Sequence, residues 1–94
     1  MKDNSGWHKF IANCAKMKTS DELQHFFELT LTGSEREKIG SRYLILTELL
    51  AANKTQRAIA ADIGVSLFNV TRGANQLKQM PESVTKLITK ADDE

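Results

Sequence analysis

The stretch from Thr55 to Asn75, TQRAIAADIGVSLFNVTRGAN, restricts the possible folds more than any other part of the chain. It predicts two short helices joined by a tight turn. Thr55 can cap the first, its hydroxyl accepting from a free N–H one turn on. Ile59, Ala60 and Ile63 give that helix an apolar edge. Gly64 stands where a helix ends at positive φ, which glycine adopts most cheaply. Val65 then fills the turn, and Ser66 caps a second helix that begins at Leu67. A small Ala60 lets the two helices cross closely, and Val70 points back at the first. The spacing Gln-Arg-x-Ile-Ala-x-x-Ile-Gly-Val-Ser-x-x-x-Val-x-Arg is the helix-turn-helix pattern, spanning residues 55–75, in which the second helix enters a major groove. A helical hairpin buried in a bundle would explain Gly64 but not the polar outer face of the second helix.

A chain of 94 residues reads as one domain, residues 1–94, and one this short gains stability from a second subunit. The net charge of +1 excludes a uniformly basic protein. Between Lys54 and Met80, however, Lys54, Arg57, Arg72 and Lys78 face a single acid, Asp62. Such a local patch suits a selective nucleic-acid binder. Cys14 is alone, so neither a disulfide nor a metal cluster is expected within one chain. The first residues, MKDNSGWHK, lack an apolar signal core, and no run approaches the ~20 apolar residues that span a bilayer. A cytoplasmic protein without membrane contact is expected.

Upstream, Trp7, Phe10, Ile11, Cys14 and Met17 share one face of a first helix, with Cys14 a small core hydrophobe. His8 and His25 have no catalytic or metal-ligand spacing with it. Thr19 and Glu22 form a capping box that opens a second helix striped by Leu23, Phe26, Phe27 and Thr30. Thr32-Gly33 ends it. A second box, Ser34 to Glu37, starts the longest helix, expected to run to about Ala52. On a wheel, Ile39, Tyr43, Ile45, Leu46, Leu49 and Leu50 fill roughly 160°, with Leu44 outside the arc. So broad a coat predicts a central helix packed against a second subunit, the first helix joining in an intertwined homodimer. Arg42 falls inside the arc. An unpaired guanidinium there is costly, so either Glu35 neutralises it or it lines a pocket for a flat or anionic ligand. After the motif, Pro81 and Glu82 open a last helix whose Val84, Leu87 and Ile88 could dock as a lid. The acidic tail, Ala91 to Glu94, is expected to fray. No segment reads as strand, so the class is all-α.

The wheel divides the second motif helix into three faces. Val70, Ala74 and Leu77 point to the core, while Leu67, Phe68, Thr71 and Asn75 span about 100° of the next face. There Leu67 and Phe68 could meet thymine methyls, and Thr71 base edges or phosphates. Asn69, Arg72 and Gln76 form a third face turned away from DNA. Gly73 lies where that face meets the core, admitting a ligand or a neighbouring backbone. Arg72 together with Arg42 suggests a slot between two guanidiniums.

These residues carry a resemblance to the tryptophan repressor family, extending from Trp7 to about Ile88. Its most specific parts are LTGSERE-x-I-G-S-R at Leu31–Arg42 and VTRGAN at Val70–Asn75, which resemble the family's LT-P-x-ERE-x-LG-T-R and ITRGSN. The resemblance implies a six-helix subunit in an intertwined homodimer, binding double-stranded operator DNA with L-tryptophan as corepressor and no other cofactor. By position, Arg42 and Arg72 would sandwich the indole, with Gly73 packed against it and Ile45 lining the pocket. Arg72 and Thr32 would hold the carboxylate. The backbone carbonyls of Leu29 and Leu31 would hold the ammonium, as suits the negative end of a helix. Gln56, Arg57, Ser66, Leu67, Phe68, Asn69 and Thr71 would face DNA. Bound tryptophan would tilt the second helix so that the two heads match major grooves ~34 Å apart.

The sequence departs from the family at several positions. Gln76 replaces a serine near the ammonium, Asn69 a threonine and Gly33 a proline, while Leu67-Phe68 differs in shape and the N-terminal arm is short. Other readings are a helix-turn-helix regulator with a different effector or none, and a helical interaction module that does not bind DNA. No nucleophile, base and orienting group converge, so no enzyme is expected.

Overall fold

The computed structural model describes residues 5–88, and the acidic tail lies outside them. Six helices and no strand occur among the described residues: α1 Ser5–Cys14, α2 Ser20–Thr30, α3 Gly33–Ala51, α4 Gln56–Ile63, α5 Leu67–Gln79 and α6 Glu82–Thr85. The class is all-α, as the periodicity predicts. The chain divides into two compact units, one ending at Arg36 and the other beginning at Glu37.

In the first unit, Phe10 of α1 meets both phenylalanines of α2. Its ring centroid lies 5.4 Å from Phe26 and 6.0 Å from Phe27, and Trp7 stacks on it at 5.7 Å. Aromatic pairs at such separations add to the gain from burial. α1 ends at Cys14, so Met17 falls beyond the helix predicted to contain it. Cys14 is half-buried and free. Thr19 caps α2 by accepting from the Glu22 N–H at 3.0 Å, while the Glu22 carboxylate accepts from the Lys18 N–H at 2.7 Å.

The box that opens α3 is not the one expected. Thr32 Oγ1 accepts from the Glu35 N–H at 3.1 Å, and the Thr32 N–H donates to Glu35 Oε1 at 2.8 Å. This reciprocal pair satisfies two helix-end groups, and the helix starts at Gly33, ahead of Ser34. Both readings fit an S/T-x-x-E pattern, and two overlapping matches leave local sequence unable to choose.

The second unit is built around α3, α4 and α5. Ile45, Ile59, Ala60 and Val70 are its buried apolar core, with Leu49, Ile63 and Val65 packed against them. Both helices of the motif carry the N-caps that the sequence predicts. Thr55 Oγ1 accepts from Ala58 N–H at 3.1 Å, and Ser66 Oγ accepts from Asn69 N–H at 3.1 Å. Gly64 has φ 81° and ψ 37°, and the amides of Gly64 and Val65 both donate to the Ala60 carbonyl. Beyond Ala51, Lys54 Nζ pairs with Asp62 at 2.9 Å and Glu48 at 3.4 Å, tying the end of α3 to α4. The hydrogen bond that the ammonium donates to the Asp62 carboxylate does most to hold the lysine pKa above its ordinary value.

The last helix departs from expectation. α6 is only four residues long, and Val84 and Leu87 are exposed, so that segment does not form a docked lid. Pro81 occupies the cap position rather than the first helical one. On α3, Ile45 is buried, Ile39 and Tyr43 of the apolar arc are exposed, and Leu44, placed outside that arc, is exposed as expected. The polar Thr47 is buried instead, its hydroxyl donating to the Leu44 carbonyl at 2.8 Å.

Candidate effector cavity and nucleic-acid interface

A cavity of 590 Å³ opens between α3 and α5, within the range of roughly 300–1,000 Å³ usual for small-molecule sites. Arg42, Ile45, Arg72, Gly73 and Gln76, five of the residues singled out for a ligand, line it. They share one cavity for a local reason. Arg42 and Ile45 lie about one turn apart on α3, and Arg72, Gly73 and Gln76 do so on α5. Gly73 brings the two helices together: a Cβ there would lie 2.9 Å from Ile45 Cγ2 and 3.4 Å from Leu49 Cδ1. The close approach that glycine permits is therefore to α3 side chains.

Arg42 is exposed rather than enclosed among leucines as its wheel position suggested. The apolar arc marks a helix face but not what covers it. Neither Arg42 nor Arg72 forms an ion pair among the described residues. The carboxylate weighed as a partner for Arg42, that of Glu35, is held by the Thr32 N–H. The wall also carries Lys38 and Glu37, giving three cations against one carboxylate. It thus offers flat guanidinium surfaces and excess positive charge, which suit a ligand combining a ring with an anionic group.

Sequence reasoning missed Glu37, Lys38 and Ser41 on this wall. Lys38 and Ser41 precede Arg42 and Ile45 by one turn, so the i, i+4 rule could have found them. Asn69 also lines the cavity. Its wheel position agrees with that placement, whereas the family resemblance alone turned it toward DNA.

Leu29, Leu31 and Thr32 belong to the first unit. Leu29 is exposed, and the Leu31 carbonyl already accepts from Arg36 Nη1 at 2.8 Å, leaving one lone pair free. The Thr32 hydroxyl accepts from Glu35 and retains its own hydrogen to donate.

On the outer side of α4 and α5, Arg57, Ser66, Leu67, Phe68 and Thr71 are all exposed, and Gln56 is half-buried. Thr71 Oγ1 donates to Gln56 Oε1 at 2.9 Å, which turns the Gln56 amide so that its N–H groups are the free part. The basic patch is smaller than composition suggested, because Lys54 is neutralised by Asp62 and Glu48. Phe68 is 68% exposed and no part of the core. The Arg72 guanidinium carbon lies 5.6 Å from its ring centroid. The wheel assigned these two residues to separate faces, and the structure joins them. An i, i+4 pair with one long side chain can bridge that angle.

Capped helices meeting at a left-handed glycine, over a buried Ala60 and Val70, define a helix-turn-helix protein with a cation-rich cavity behind its second helix. Comparison with known proteins narrows the class. The Trp repressor protein family matches residues 5–92. A Trp operon repressor homolog from Chlamydia caviae is 47% identical over 76 residues, 81% of this chain and 75% of the relative. One from Chlamydia trachomatis serovar D is 41% identical over 88 residues, 94% of each chain. Another, from Pasteurella multocida, is 31% identical over 88 residues, 94% of this chain and 86% of its own. The chain belongs to the Trp repressor family.

Proposed function

We propose that the protein is an L-tryptophan-dependent, DNA-binding transcriptional repressor of tryptophan-related genes, acting in the cytoplasm as a homodimer. One observation carries this reading: Arg42 and Arg72, neither neutralised by a carboxylate, line the same cavity behind the second motif helix. An indole ring stacks between guanidiniums, and a carboxylate answers the excess positive charge. Arg72 serves both groups, Ile45 and Gly73 form the apolar floor, and Gln76 offers its amide oxygen to the ammonium. Outside, Gln56 and Arg57 hold phosphates while Ser66, Leu67, Phe68 and Thr71 meet the groove. Arg72 lies on the helix that reads DNA, so a ligand held by Arg72 shifts the orientation of that helix. Ligand and operator then strengthen each other's binding, by roughly 1–3 kcal/mol in such coupled systems.

A gel shift with the DNA upstream of the protein's own gene tests this. Wild type retards that DNA only when L-tryptophan is added, and Arg72→Ala, an exposed site whose loss leaves the core intact, does not respond. Equal retardation with and without tryptophan would overturn the effector assignment. No retardation under either condition would overturn the operator assignment.

A further inference from the structure

Phe68 makes an unusual contact for a residue on a reading face. It lies one turn before Arg72 on α5, and the guanidinium sits 5.6 Å from its ring centroid, inside the ~6 Å limit for a cation–π contact. That ring is the only side-chain partner Arg72 has among the described residues. Arg72 nevertheless lines the cavity, and Phe68 does not. The conformation that touches the ring is thus the same one that faces the cavity.

We propose that Phe68 is a positioning residue: its ring holds the Arg72 guanidinium on the cavity wall, ready for an aromatic ligand. This rests on the tryptophan reading above and adds the part that couples the cavity to the outer face of α5. A free arginine samples many rotamers, and a ligand that stacks on it must first order it. Phe68 does that ordering beforehand. A guanidinium plane has two faces, so a ring on one leaves the other for the indole. The product is a stack of phenyl, guanidinium and indole running from the reading face into the cavity. The contact needs a π-face, and an aliphatic group of similar bulk cannot supply it.

The test compares wild type, Phe68→Leu and Phe68→Tyr by calorimetry with L-tryptophan and by NMR of the Arg72 Nε–H. Phe68→Leu weakens tryptophan binding about two- to fivefold, the factor that an exposed cation–π contact supplies. Its Arg72 Nε–H loses the ring-current shift and becomes more mobile. Phe68→Tyr keeps the wild-type affinity and signal. Unchanged or tighter binding in Phe68→Leu, or an Arg72 signal identical to wild type, overturns the proposal. If wild type binds no tryptophan, the effector reading fails by itself. The Arg72 signal of the leucine variant, set against that of the tyrosine variant, then decides the positioning role.

Discussion

Gly73 sits in the middle of α5, where glycine costs a helix about 1 kcal/mol relative to alanine. Propensity alone would make Gly73→Ala stabilising. The structure predicts the opposite, because the new Cβ would lie 2.9 Å from Cγ2 of the buried Ile45. That methyl is attached to a β-branched carbon on a helix and has little freedom to move. Overpacking of this kind costs about 1–3 kcal/mol, which outweighs the propensity gain. Urea unfolding of Gly73→Ala should therefore show a net loss of stability, and a gain would mean that α3 and α5 are not this close. The sequence marks Gly73 as a place of close approach without saying to what, since that depends on which α3 residues lie opposite. The same limit applies to Arg42, whose membership of an apolar arc is a property of one helix and whose exposure is a property of its surroundings. Thr47 was hidden for a related reason: a wheel that ranks residues by hydropathy passes over a threonine whose hydroxyl is satisfied by its own helix.

Helix ends were the most legible elements, because their chemistry is contained in four or five consecutive residues. Thr19, Thr55, Ser66 and Gly64 occupy the cap positions read from the sequence. The end of α3 differs. There the residue at positive φ is Ala52, at 58°, which no pattern of residue types announces. An L-residue in this conformation is strained by roughly 1–2 kcal/mol. Glycine relieves the strain but loses about 0.4–1 kcal/mol through the greater freedom of the unfolded chain. Substituting Ala52→Gly should then raise stability by up to about 1.5 kcal/mol, the difference of those two effects. Gly64→Ala should lower it by a similar amount, since a Cβ at Gly64 meets no atom within 4 Å and only backbone strain acts. Chemical denaturation of both variants checks the pair. Changes of the same sign would show that something other than the left-handed backbone controls these two turns.

At the scale of the whole molecule, a chain of 94 residues encloses very little. Ile45, Ile59, Ala60 and Val70 are its buried apolar side chains among the described residues, whereas Trp7, Ile11, Leu29, Ile39, Tyr43 and Leu44 are exposed. Leu29 is 85% exposed and Trp7 59%, values that single scattered surface residues reach but that are costly across so many large ones. The homodimer proposed above would bury the exposed apolar groups of α1, α2 and α3 against a second copy. Folding and association would then be one equilibrium, and stability would depend on protein concentration. Each tenfold increase in concentration should add about 1.4 kcal/mol per dimer to the apparent unfolding free energy. Urea midpoints that rise across a hundredfold concentration range, together with a dimer mass by sedimentation equilibrium, are the expected result. A midpoint independent of concentration, together with a monomer mass, would overturn the homodimer.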